Sequence, residues 1–267
     1  MKKFIAMLLA LVMIMAMAAC GAKEEAAPET QPATEAATEA ATEAPVEEAT
    51  EEVAPEATPE VAAMSHADYM AAEMDAEVVI ETYVQAHQSW WDNKITVYCQ
   101  SPDGAYFLYE LACSEEDAAE LVPGTKIRVT GYKGEWAGEV EVMDGTFEFV
   151  EGGDTFIAEA LDVTDLLASE ELIAHQNELV AFNGMTVKAI EYKNGEPGDD
   201  IYVTLTKDGA DYSFCVEVYL TGTDHPVYST VSELAEGDTV NVEGFLYWYE
   251  GISSIISGRS KSRKTSR

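Results

Sequence analysis

Rings and carboxylates are the side chains of this sequence whose types and positions could do chemistry. Trp90, Trp91, Tyr98, Tyr109 and Trp136 fall in one stretch, and Tyr202, Tyr247, Trp248 and Tyr249 in another. Aromatic faces among acids suit sugars or cations, whereas single-stranded nucleic acid calls for Lys and Arg among the rings. A second reading of the same rings is open, in which they close the ends of a fold and pack against a neighbouring module. His66, His87, His175 and His225 are scattered, with no pair four residues apart on one helix, so no zinc site is expected. The loop Asn194-Gly195-Glu196-Pro197-Gly198-Asp199-Asp200 offers oxygen ligands for calcium but lacks the EF-hand pattern. No nucleophile elbow, phosphate loop or metalloprotease helix motif is present. The chain is therefore expected to be no enzyme and to carry no metal or cofactor.

The N-terminus has Lys2 and Lys3 followed by an apolar run from Phe4 to Ala18, the pattern of a secretory signal. Its end, Met17-Ala18-Ala19-Cys20, resembles a bacterial lipobox, with Met17 where Leu is usual. The resemblance implies that Cys20 is diacylated and becomes the mature N-terminus, held at the extracytoplasmic face of a membrane by two acyl chains. The alternative is an ordinary signal cut nearby. Because export permits disulfides, a Cys99–Cys113 bridge stays open, although Cys99 shares a strand face with Ile95 and Val97 and reads as a small buried hydrophobe. Residues 21–63 consist mainly of Ala, Glu, Thr and Pro, with the repeat TEAATEAATEA from Thr34 to Ala44. So little large apolar surface cannot offset the entropy of ordering, and the segment is expected to be a disordered tether.

Charge is divided unevenly. The chain carries 50 acids against 15 Lys and Arg, for a net charge of −35. Residues 64–258 hold only seven of the basic side chains, namely Lys94, Lys126, Arg128, Lys133, Lys188, Lys193 and Lys207. Such a field repels phosphate backbones and anionic lipid. Lys126, Arg128 and Lys133 cluster near one strand as a local basic patch, while residues 259–267 form a basic tail expected to be disordered.

The elements that must position the rings are written twice. Leu121, Gly124, Val129 and Gly131 return as Leu234, Gly237, Val242 and Gly244, and Asp103-Gly104 returns as Asp208-Gly209. The first spacing exceeds the second by eight residues, which places an insertion after the third strand of the second copy. Residues 78–87 alternate with period two, and strands are predicted over 94–100 and 105–112, joined by an Asp-Gly turn with positive φ angles. A short helix capped by Ser65 precedes them, and another, capped by Ser114, follows, its counterpart in the second copy expected to run from Ser229 to Gly237. A helix over 163–176 is predicted to bridge the copies. Strand, hairpin, helix and closing hairpin is the order of an OB-fold. The expected class is thus mainly β: two tandem OB-fold-like five-stranded Greek-key barrels, over 64–160 and 161–258, behind a signal peptide (1–20) and tether (21–63). Two β-sandwiches are the alternative. On such barrels Trp90-Trp91 falls in the first-to-second-strand loop and Trp136 in the fourth-to-fifth, both places where OB-folds take ligands.

The stretch SWWDNKITVYCQSPDGAYFLYELACSEEDAAELVPGTKIRVTGYKGEW, Ser89 to Trp136, resembles a group of acidic, tethered surface lipoproteins of Gram-positive bacteria with OB-like domains and no assigned activity. The resemblance implies an exported binding or structural protein. The expected function is a membrane-anchored, non-enzymatic binding module for a neutral or cationic solute or polymer, with glycans among the candidates by ring chemistry, through Trp90, Trp91, Tyr98, Tyr109, Trp136, Tyr247, Trp248 and Tyr249. An adaptor for other envelope proteins is the alternative. Partners are expected to be the lipid bilayer through Cys20 and a solute, polymer or envelope protein, with nucleic acid disfavoured by charge and the chain a monomer.

Overall fold

The computed structural model describes residues 61–249, 252–256 and 263–264. The signal, Cys20, nearly all of the tether and most of the basic tail lie outside the described residues. Ser65 caps α1 (His66–Ala71), its hydroxyl accepting from Asp68 N at 3.2 Å, and Tyr69 turns into the core. β1 (Glu77–His87) buries Val78, Ile80, Thr82 and Val84, the face its alternation sets. β2 (Lys94–Ser101) and β3 (Gly104–Ala112) form a hairpin. Ser114 caps α2 (Glu115–Glu120), accepting from Asp117 N at 3.0 Å, with Glu115, Glu116 and Asp117 where the helix dipole favours acids. β4 (Lys126–Trp136) and β5 (Glu139–Phe149) close a barrel in the order β1-β2-β3-β5-β4, with β3 and β5 parallel. Ile95, Val97, Cys99, Leu108, Leu111, Ile127, Val129 and Val142 fill it.

The second half runs β6 (Leu161–Asp162), β7 (Leu179–Tyr192), β8 (Ile201–Lys207), β9 (Ala210–Val216), α3 (Val218–Thr221), α4 (Pro226–Ser232), β10 (Thr239–Tyr249), β11 (Ile252–Ile256) and β12 (Arg263–Lys264). These strands form one seven-stranded sheet, β12-β10-β11-β9-β8-β7-β6, in which β10 also pairs with β7. Phe182, Met185, Val187, Val203, Leu205, Phe214, Val240 and Val242 are its core.

Three local expectations are corrected. The bridging helix over 163–176 is replaced by two 3₁₀ turns, Thr164–Leu166 and Glu170–His175. Ser169 is extended and its hydroxyl accepts from Glu171 N at 3.1 Å, so it starts a new turn where a continuous helix would need it inside. The helix of the second copy begins at Pro226 under a His225 cap, three residues before Ser229, because Pro is preorganised for the first helical position. The two Asp-Gly turns also differ. Asp208 and Gly209 both take positive φ, 52° and 85°. At Gly104 the reason for glycine is contact: a Cβ there would lie 2.2 Å from the ring of His66, which rests on Tyr106.

The three described cysteines are free. Cys99 pairs with Tyr106, whereas Cys113 N bonds Asn93 O at 2.9 Å, six residues farther along the same edge. That is about 20 Å of strand, well beyond the ~7 Å Cα span of a disulfide.

One buried amide fastens the segment between the halves. Gln85 accepts from Ala158 N at 2.9 Å and donates to Phe156 O at 3.1 Å. Beyond it the halves share a third apolar cluster, in which Tyr98 and Phe107 of the first barrel meet Leu179 and Phe245 of the second half. Tyr98 stacks on Phe245 with centroids 4.6 Å apart and planes 16° from parallel. β2 is therefore buried on both faces, inward through Cys99 and outward through Tyr98.

Candidate functional site: an aromatic groove at the joint

Above the Tyr98–Phe245 stack the joint opens into a groove of about 660 Å³. Tyr98, Phe107 and Tyr109 enter from the β2–β3 face, Trp136 from the end of β4, and Glu141 from β5. The opposite wall carries Tyr202 from β8, Cys215 from β9 with Glu217 just after it, and Tyr247 and Tyr249 from β10. The rings grade from anchored to open. Tyr98 and Phe107 are buried, and Phe107 meets Tyr247 edge-on at 5.5 Å. Trp136 and Tyr249 lie 5.2 Å apart with 54% and 41% of their surface exposed, and Tyr109 and Tyr202 are exposed as well.

The eight rings expected to bind ligand thus divide. Tyr98, Tyr109, Trp136, Tyr247 and Tyr249 line the groove. Trp90 does not, for its Nε1 donates to Cys113 O at 2.9 Å and the ring packs on the first core. Trp248 packs against the second core. Trp91 is exposed at a separate cavity. The rings therefore differ in exposure, since Tyr98 and Phe107 are buried in the joint while Trp136 and Tyr249 remain open.

Carboxylates were weighed only by number in the sequence, and their placement is the feature that reading missed. Glu139 and Glu141 alternate on β5 with Val140 and Val142, so they face away from the barrel core, yet both are buried because the second half covers that face. Burial pushes Glu139 up to about 8, opposed by a 2.7 Å bond from Trp248 N, and pushes Glu141 up to about 7. Glu217 is raised by burial too, against the 2.9 Å bond it accepts from Gln88 Nε2. Among the described residues no donor reaches the buried acceptors Glu139 Oε1 and Asn177 Oδ1. A proton on Glu139 turns Oε1 into a donor and removes a buried charge. Burial also raises the Cys215 thiol far above its ordinary value, so it is no nucleophile at neutral pH.

The basic patch expected on β4 is taken up by contacts within the chain. Lys126 and Arg128 both bind Glu81, at 2.7 and 2.8 Å. Lys133 is buried and donates to Met70 O at 2.7 Å and Ala72 O at 2.8 Å, satisfying carbonyls at the end of α1. Among the described residues there is no cluster of His, Cys, Asp and Glu that could hold a metal ion, and no helix long and apolar enough to cross a membrane.

No protein-family model matches the chain, and no curated protein does. Among solved structures it is similar to a murine DNA-binding protein bound with ds DNA, at 12% identity, covering 71% of this chain and 97% of that one with a TM-score of 0.35. It is also similar to the HINb domain of p204 (10%, 72% and 100%, TM-score 0.33) and to the tetrameric HIN2 of p202 (13%, 73% and 98%, TM-score 0.31).

Two expectations are corrected against these neighbours. For a module taking a neutral or cationic solute or polymer, or an envelope adaptor, nucleic acid was set aside, whereas one neighbour is bound with ds DNA. A monomer was expected, whereas another neighbour is tetrameric. The correction reaches the exclusions only; the likeness assigns no residue a role. The net charge counts every carboxylate as ionised, whereas burial shifts Glu139, Glu141 and Glu217 at the joint toward the neutral form.

Proposed function

We propose that the chain is a non-catalytic nucleic-acid-binding protein that takes single strands by their bases, in the groove between two OB-like barrels. The observation that carries this reading is the open Trp136–Tyr249 pair, set with Tyr109 and Tyr202 around one groove. Stacking on such rings is worth about 1–3 kcal/mol per base and tolerates any sequence. Gln88 and a protonated Glu141 supply hydrogen-bonding groups for base edges at the same place. The second half is taken as an OB-like barrel because β7-β8-β9-β11-β10, joined back to β7, repeats the strand order of the first, and β9 and β11 are parallel as β3 and β5 are. The lipobox resemblance at Cys20 and the tether behind it support a location on the outer face of a membrane, as in the lipoproteins that Ser89 to Trp136 resembles.

A strand held by its bases leaves its phosphates in solvent, so its affinity has a shallow salt dependence. Titration of the full chain with oligothymidylate, followed by tryptophan fluorescence, is expected to give a Kd that moves less than about threefold between about 50 and 200 mM salt. Trp136→Ala should weaken binding about tenfold. Absence of binding overturns the reading. So does binding that collapses by three orders of magnitude over the same salt range, which would place the contacts on the phosphates.

A further inference from the structure

A second cavity, about 330 Å³, lies beside the groove and shares Gln88 with it. Its rings come from both halves: Trp91 from the loop between β1 and β2, and Tyr219 from α3. Trp91 is 71% exposed and Tyr219 59% exposed, unusual for side chains with so much apolar surface. Neither hangs loose. Trp91 and Lys94 exchange backbone bonds of 3.1 and 2.9 Å across Asp92 and Asn93, whose φ angles of 49° and 60° make a tight turn. Ser89 donates to Tyr219 O from its N at 2.7 Å and from its Oγ at 3.1 Å, tying α3 to the same loop. Both rings are thus presented to solvent by bonded backbone, which lowers the entropy a ligand must offset.

We propose that this cavity and the groove are two stations of one track joined at Gln88, so that the chain takes an oligonucleotide several units long in preference to a single nucleotide. The inference rests on the groove reading above and adds to it a ligand length and a second set of contacts. Continuity argues for the same occupant in both. Gln88 lines both cavities, held by its N–H to Thr96 O at 2.9 Å and its amide to Glu217 at 2.9 Å. Lys94 also lines the second cavity, paired with Glu110 at 2.6 Å with about half its side chain exposed, and can reach one phosphate there at the cost of that exposed pair.

The test is the length dependence of affinity, measured by calorimetry on the full chain with thymidine nucleotides of one, about four and about eight units, a range within one OB-fold site. The wild type should bind about eight units at least tenfold more tightly than one. Trp91→Ala should remove that gain and leave single-nucleotide binding unchanged, and Tyr219→Ala should do the same. Since both side chains are exposed, an unchanged melting temperature will confirm that the variants fold. If both variants keep the wild-type gain with length, the track is overturned while the groove stands. If the wild type binds no length at all, the groove reading falls and the track with it.

Discussion

The two halves of the body follow one strand order, yet they part company after the third strand. In the first, Ala112 leads within two residues to Ser114, which caps α2 directly. In the second, Val216 is followed by α3 and a turn before His225 and Pro226 open α4. The added segment does not serve its own half alone. It carries Glu217, which binds Gln88, and Tyr219, whose carbonyl binds Ser89, so an insertion in the second half completes cavities whose other walls belong to the first. Repetition produced the two strand sets; departure from repetition produced the surfaces they share.

That comparison can be broken most severely at the joint. Phe245→Ala removes the ring stacked on Tyr98 and is expected to cost about 3–5 kcal/mol. Calorimetry should then show two separated transitions where the wild type shows one, because the halves keep separate cores. A single transition at the wild-type temperature would mean that the Phe245–Tyr98 stack is not what couples the halves.

A smaller effect is expected from the carboxyl buried there. The folded state raises Glu139 to about 8 from an ordinary value near 4.5, so its contribution is fully present below the ordinary range and is lost as pH rises through about 8. Repulsion among exposed acids also grows with pH, but it is complete by about pH 6 because those groups ionise near 4. Across the interval from about pH 6 to 8 Glu139 is joined by Glu141 and Glu217, also raised by burial, and by His66, lowered by it. The difference between wild type and a Glu139 variant is therefore what isolates Glu139. Wild-type melting temperature should fall across that interval, by an amount corresponding to a few kcal/mol at most. Glu139→Gln should flatten the profile, leaving the slope of the other three groups. An unchanged slope in the variant would show that Glu139 is ionised in the folded protein.

The smallest effect sharpens the contrast between the two Asp-Gly turns. Gly104→Ala should cost about 1–3 kcal/mol by collision with the His66 ring, and the part due to that collision should return in the double variant with His66→Ala, leaving the strain of its φ of 157°. Gly209→Ala meets open space but must hold a φ of 85°, so it should cost about 1–2 kcal/mol that no neighbouring substitution restores. Equal costs with no rescue at Gly104 would erase the distinction.

Strand positions and the small helices were legible because alternation and caps are local. Val78, Ile80 and Val84 follow the period of one strand, and Ser65 and Ser114 each accept from an N–H three residues on. The exception among local features, the helix expected over 163–176, fails for a reason that is itself local, the competing hydroxyl of Ser169. The groove was legible in part. Trp136 and Tyr249, singled out by type and position, line the groove, but nothing in their spacing separates them from Trp90, whose indole is spent on Cys113 O.

By itself, then, the sequence determined the strand faces, the repeated order and the acidic balance, because each of these follows from neighbours a few residues apart or from a sum over the chain. Only the tertiary structure decided which rings are open and which carboxyls are buried. Glu139 has the same flanking residues as an exposed acid on any strand, and it is the covering of β5 by the second half, more than 100 residues away in the chain at Trp248, that removes water from it.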